Sequence, residues 1–226
     1  MPASRLFSFL LLLTAGAGCF PSYGQYNDAG LWLGTTVEKK ISPSNTLVAA
    51  GEIRMNENIT QVGAAFIEGG LTHKFNKYLS FGINYRFIER RQLGYSYSTR
   101  HRIYADITGK YKLDKLSFSL RERIQLQVRD YYSSETGRIP EWYLRSKLSI
   151  KYNLRKKITP MVAVEIFYQL TNPSGNEIDG VRYYAGFDYE FNKRHAIEPY
   201  YLIQSEKNVK NPETDFVIGV GYTYSF

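Results

Sequence analysis

The chain is short of several things that would point elsewhere. Its 226 residues contain one cysteine, Cys19, which excludes a disulfide framework. Mean hydropathy is −0.36, and the only strongly apolar block, at positions 9–13, is far below the roughly 18 residues a membrane-spanning helix needs. A helical membrane protein is thereby excluded. Histidine is scarce, with three residues, His73, His101 and His195, too far apart and without a Cys or carboxylate at ligand spacing to form a metal site. The glycines are scattered along the chain and form no phosphate-cradling loop, so no cofactor is expected. What is abundant is aromatic: 20 Tyr and 13 Phe, residue types that suit a pleated surface. An all-β chain of one domain is the first expectation.

Residues 1–24 read as a secretory signal peptide. Arg5 precedes an apolar run, small residues follow, and Ser22 and Gly24 provide the side chains a signal peptidase tolerates, setting the mature start at Gln25. A competing reading cuts before Cys19, after Gly16, Ala17 and Gly18, and leaves that cysteine acylated, although the usual Leu three residues before it is missing. Cleavage at residue 24 removes Arg5 and Cys19, leaving 28 bases against 21 acids, a net charge of +7, and no thiol. In an exported chain whose bases alternate along strands instead of gathering in a tail, this charge does not indicate nucleic acid.

Residues 25–226 are organised by repeat. Short polar turns start at 76, 113, 155 and 192, spaced 37, 42 and 37 residues apart, and longer polar connections lie between them at 91–97, 130–140, 171–180 and 207–214. Each repeat is therefore one long hairpin whose strands of about ten or more residues can cross a bilayer when tilted. A propeller has a similar period, but its Trp-Asp signature is absent. Within the strands the period is two. Trp142, Leu144, Leu148, Ile150 and Tyr152 alternate with Tyr143, Arg145, Lys147, Ser149 and Lys151, and the segments 79–87 and 162–169 behave alike.

Alternation alone would also suit a soluble periplasmic ligand-binding barrel with its apolar face turned inward. The aromatic residues of the apolar face decide between the two. Phe75, Tyr78, Tyr111, Tyr152, Tyr189 and Phe191 gather at the short turns, while Phe87, Trp142, Tyr168, Tyr183 and Phe216 gather at the other strand ends. Aliphatic and small residues fill the band between, as in two interfacial girdles around hydrocarbon. The last strand carries Phe216, Ile218, Val220, Tyr222, Tyr224 and Phe226 on one face. Ending on an aromatic, it is similar to the recognition signal that delivers outer-membrane barrels to their insertion machinery, with Tyr222, Tyr224 and Phe226 as the matching residues. The expected fold is a transmembrane, up-and-down antiparallel β-barrel of about 10–12 strands in the bacterial outer membrane, a monomer with lipid and the insertion machinery as partners.

Trp32 with Glu38, Lys39 and Lys40, Glu52 and Arg54, Asn84-Tyr85-Arg86, His101-Arg102, Arg121-Glu122-Arg123 and the Phe226 terminus span the mature chain. In these features the sequence resembles a family of bacterial outer-membrane proteins catalogued as domain of unknown function 2490. The resemblance implies fold and location and assigns no catalytic residue.

If the apolar face meets lipid, the ionic face lines a lumen. The fourth to seventh strands contribute a basic wall with Arg86, Arg102, Arg121, Arg123, Arg145 and Lys147. The eighth to tenth strands, with the second and third, contribute an acidic one that includes Glu52, Glu68, Glu165, Asp188 and Glu198. Either these charges bridge a narrow lumen and fill it, or they line a small pore or binding groove. The competing class is a lipid-modifying enzyme of the acyl-hydrolase type, which needs a Ser nucleophile beside a His base. Ser96, Ser98 and His101 are close in sequence, but strand phase turns His101 outward beside Ile103, and no enzymatic role is assigned.

Three features strain this reading. Counting residues 29–40 as a strand gives eleven, where a single-chain bacterial barrel has an even number. Either that segment lies outside a ten-stranded wall, or a short strand completes twelve. Glu122 falls on the lipid face between Leu120 and Ile124, where a charge near mid-depth costs up to about 2–4 kcal/mol, so a bulge is expected to return it to the lumen. Pro199 is expected to weaken pairing in the tenth strand.

Overall fold

A computed structural model describes residues 26–92, 96–129, 140–154, 157–172, 175, 177–209 and 211–226. The signal segment, Cys19, most of the 130–140 connection and part of the 155–157 turn lie outside the described residues. All regular elements described are strands: β1 (Tyr26–Lys40), β2 (Asn45–Asn56), β3 (Gln61–Lys74), β4 (Leu79–Arg91), β5 (Tyr97–Leu113), β6 (Leu116–Arg129), β7 (Glu141–Tyr152), β8 (Ile158–Gln169), β9 (Glu177–Glu190), β10 (His195–Glu206) and β11 (Glu213–Ser225). The shortest have 12 residues. At about 3.3 Å per residue that is roughly 40 Å of strand, enough to cross about 30 Å of hydrocarbon at a tilt.

Each strand pairs antiparallel with the next, and β1 pairs with β11 in parallel to close the barrel. The even count expected from sequence does not hold: the first segment is in the wall and no twelfth strand is needed. With eleven strands in a meander, the first and last run in the same direction. A parallel ladder, with Leu33 opposite Val220 and Val37 opposite Tyr224, then joins their two edges. The odd number also sends the two ends of the sheet to opposite rims. β11 ends at the short-turn rim, and β1 begins at the loop rim.

The phase of every strand follows from the register. Leu33, Ile53, Ile67, Ile83, Ile103, Ile124, Leu144, Val162, Tyr183, Tyr201 and Ile218, one from each strand in order, are exposed on the outer surface. A soluble barrel would turn such a belt inward, because water tolerates apolar patches of only a few hundred Å². The inner surface holds the polar set, together with a small apolar cluster of Trp32, Leu202 and Val217, flanked by Tyr184 and Tyr200, which braces the parallel seam from inside. Gly219 leaves room there for the end of the Tyr200 ring, which a Cβ at that position would displace.

Glu122 stays outside. Neither ladder of β6 shifts register near it, and the Ser146 hydroxyl donates a hydrogen bond to its Oε2 at 2.6 Å. The expected bulge is absent because a one-residue slip would turn Arg121 or Arg123 outward, away from the carboxylates that hold them. The bulges that do occur are near the loop rim, between Arg54 and Met55 and between Phe167 and Tyr168. Pro199 behaves as expected. The β9–β10 ladder omits Glu198 and Pro199, whereas β11 still pairs Pro199 with Val220.

At the loop rim, Glu57, Asn58 and Ile59 all adopt positive φ, of 50°, 56° and 66°. Such a run is unfavourable for side-chain-bearing residues. Asp28 of β1 offsets it, accepting hydrogen bonds from the Glu57 and Asn58 backbone N–H groups at 2.8 and 2.7 Å.

Because Cys19 is the one cysteine of the sequence, the seam can be probed with introduced cysteines in a Cys19→Ser background. Leu33→Cys combined with Val220→Cys is expected to cross-link within one chain on oxidation or with a short bis-thiol reagent. A chain that resists cross-linking while inserted would place β1 outside the wall.

Candidate functional site: the charged lumen

The enclosed wall surrounds a cavity of about 620 Å³ to which all eleven strands contribute. Of the residues read from sequence as lining it, Arg86, Arg102, Arg121, Arg123, Arg145, Lys147, Glu52 and Glu165 do so. Asp188 and Glu198 share the inward phase of their strands but lie closer to the short turns, outside the cavity wall. Asp188 accepts a hydrogen bond from Lys151 Nζ at 2.6 Å.

The ion pairs run along the wall. Arg86 meets Glu68 of the neighbouring strand, and Arg123 forks onto both oxygens of Asp106 at 2.6 and 2.7 Å. Arg129 meets Glu141 at 2.8 Å, and Arg54 pairs with Glu52 two residues away. Glu165, 1% exposed, is the hub: Arg121 and Arg145 donate to its Oε1 at 2.6 and 2.8 Å, and Arg182 lies 3.9 Å from its Oε2. Among the described residues, these pairs join groups at most two strands apart. The charges therefore neutralise one another around the circumference and do not bridge the lumen. Glu68 and Glu165, members of the acidic set, stand on the strands that border the basic wall and pair with it.

Inward aromatic rings hold several of these bases in place. Guanidinium carbons lie 3.7 Å from the Trp32 ring centre (Arg54), 3.7 Å from Phe66 (Arg86), 3.6 Å from Tyr104 (Arg123) and 4.3 Å from Phe167 (Arg145). Lys147 Nζ sits 3.9 Å from the centre of Tyr184. Such stacking is worth about 0.5–2 kcal/mol and fixes the plane of the fork. Of these rings the sequence had singled out only Trp32, as a point of family resemblance and not as a lumen residue. Strand phase could have found Tyr104 and Phe167, since Arg102 and Asp106 flank the first and Glu165 and Gln169 the second at period two.

The remaining candidates separate. Ser98 is fully buried on the inner side, whereas His101 is outside, its Nδ1 2.7 Å from the Tyr85 hydroxyl. The sheet lies between them. His73 and His195 likewise engage Asn45 and the Tyr222 hydroxyl. A group not seen in the sequence is Asp28, Glu213 and Asp215, each with a carboxylate oxygen within 4.8 Å of the others. The parallel register that sets Asp28 opposite Asp215 creates it. Three carboxylates suit a hard divalent cation, but both oxygens of Asp28 already accept turn N–H groups.

A family described as a protein of unknown function, DUF2490, matches residues 29–215. The chain belongs to that family. Among solved structures it is similar to the beta domain of the Bordetella autotransporter BrkA, with a TM-score of 0.53 at 11% identity over 83% of this chain and 86% of that one. It is also similar to the KdgM porin, with a TM-score of 0.46 at 18% identity, covering 84% of this chain and 89% of that one. The same porin in complex with disordered oligogalacturonate gives 0.46 at 19% identity, covering 84% and 90%. No curated protein matches the chain. The likeness to the autotransporter domain supports the closed β-barrel fold of this chain.

Glu165→Gln removes the one carboxylate shared by Arg121, Arg145 and Arg182. Leaving buried bases unpaired is expected to cost roughly 3–5 kcal/mol, seen as a lower urea midpoint for the lipid-inserted barrel. An unchanged midpoint would contradict the hub.

Proposed function

We propose that the protein is a narrow, porin-like outer-membrane pore with a solute-binding lumen. The observation that carries this reading is the direction of the ion pairs. Because they run around the wall, they leave about 620 Å³ of charged space open within it. The aromatic belts and the apolar outer face support insertion in the outer membrane, with the short turns on the periplasmic side and the longer connections outside. Solute then enters at the loop rim, among Arg90, Arg129, Glu141 and Glu206, and passes the inward rings of Trp32, Tyr184 and Tyr200 beside Leu202 and Val217. These rings and the charged side chains along the wall narrow the path, and the charges hold small ionic solutes through short-range electrostatics.

Purified protein in planar bilayers is expected to give small discrete openings, enlarged by Tyr200→Ala, which shortens the side chain that covers Gly219. If neither the native chain nor the Tyr200→Ala variant conducts, the pore reading fails.

A further inference from the structure

The basic wall contains an arrangement that stability alone does not favour. Like charges directly opposite on neighbouring strands repel. Four such pairs nevertheless face each other on the inner side of β4 to β7: Arg86 with Arg102, Arg100 with Arg129, Arg123 with Arg145, and Arg121 with Lys147. Carboxylates compensate Arg86, Arg121, Arg123, Arg129 and Arg145, and Lys147 rests on the Tyr184 ring without an ion pair among the described residues. Arg100 and Arg102 are different. Among the described residues, their hydrogen bonds go to neutral groups, the Ser98 hydroxyl at 3.2 Å and Gln127 Oε1 at 3.1 and 2.6 Å. Arg100 is only 8% exposed, so water compensates it poorly. The cavity as a whole is lined by eleven bases and seven acids. Part of that positive surplus stands on the loop-side half of β5, beside Arg90 of β4.

Arg100 and Arg102 are two residues apart on one strand, so their side chains leave the same face from backbone positions about 6.6 Å apart along it. Exposed Arg90, also on the cavity wall, stands beside them opposite Ser98. A planar fork with free donors is suited to an oxyanion, and two at this spacing are suited to a solute with two such groups. We propose that Arg100 and Arg102 form a binding site in the lumen for a small solute carrying at least two oxyanion groups, carboxylate or phosphate. The bound anion supplies the counter-charge that the wall lacks. This rests on the reading of the lumen as a solute path, because the site is reached only from inside the barrel.

The test is calorimetric titration of the folded, detergent-solubilised barrel at low ionic strength, with citrate in one arm and tripolyphosphate in the other. Saturable binding of citrate alone assigns a carboxylated solute, and of tripolyphosphate alone a phosphorylated one. In either case the Arg100→Gln/Arg102→Gln variant is expected to bind at least about tenfold more weakly, equivalent to about 1.4 kcal/mol. The variant should be no easier to unfold in urea than the native chain, since it relieves two of the like-charge oppositions. Should it fail to fold, Arg102→Gln alone, which gives up only its bonds to Gln127, is expected to show an intermediate loss. Absence of saturable binding in both arms, or binding that the substitutions leave unchanged, overturns the proposal. Binding does not require current through the pore. A barrel that binds without conducting refutes the pore and spares the site, and one that conducts without binding does the reverse.

Discussion

A strand placed in hydrocarbon has no water to satisfy its backbone, so every N–H and C=O must find a partner within the protein. This one requirement closes the sheet. It also explains why β1 and β11 join in parallel, an arrangement slightly less stable per residue than the antiparallel ladders elsewhere. Leaving two edges open across the membrane would cost several kcal/mol per unpaired group, far more than the difference between ladder types. The apolar cluster of Trp32, Leu202 and Val217 lies against this joint, giving the weaker ladder side-chain packing on its inner side.

Closure decides the chemistry of the interior. With lipid outside, period-two alternation delivers charged side chains to a confined space whose walls are poorly hydrated. Unpaired charges there are costly, and the structure answers with ion pairs between neighbouring strands and with cations laid over rings. Those local solutions keep side chains close to the wall. The lumen consequently retains volume, and Arg100 and Arg102, which make no carboxylate ion pair among the described residues, stand out on one strand of the wall. The same constraint governs Glu122: it remains on the outer face, bonded to Ser146, because re-registering β6 would displace arginines that are already paired.

The barrel was legible in the sequence because alternation, turn spacing and the sorting of aromatics by height are local patterns, repeated hairpin after hairpin. The inward direction of Arg86, Arg102, Arg121, Arg123, Arg145 and Lys147 follows from the same phase. Closure is a property of the whole circumference, and the parity argument used for it assumed that the last pairing must be antiparallel. Partner choice was equally out of reach. Whether Glu165 meets a base across the lumen or beside it depends on inter-strand register, and the assembly of Asp28 with Asp215 depends on the parallel joint. Trp32 and Phe66 carry no charge, so strand phase alone does not mark them as supports for the neighbouring arginines.

All of this depends on which surface faces lipid, and the chain's two tryptophans report on it directly. Trp142 belongs to the outer girdle and is 38% exposed, while Trp32 is buried on the inner side of the seam. Single-tryptophan variants, Trp32→Phe and Trp142→Phe, can be reconstituted in bilayers containing brominated lipid. The account predicts strong quenching of Trp142 and little of Trp32. Quenching of Trp32 with Trp142 unaffected, or of neither, would contradict it.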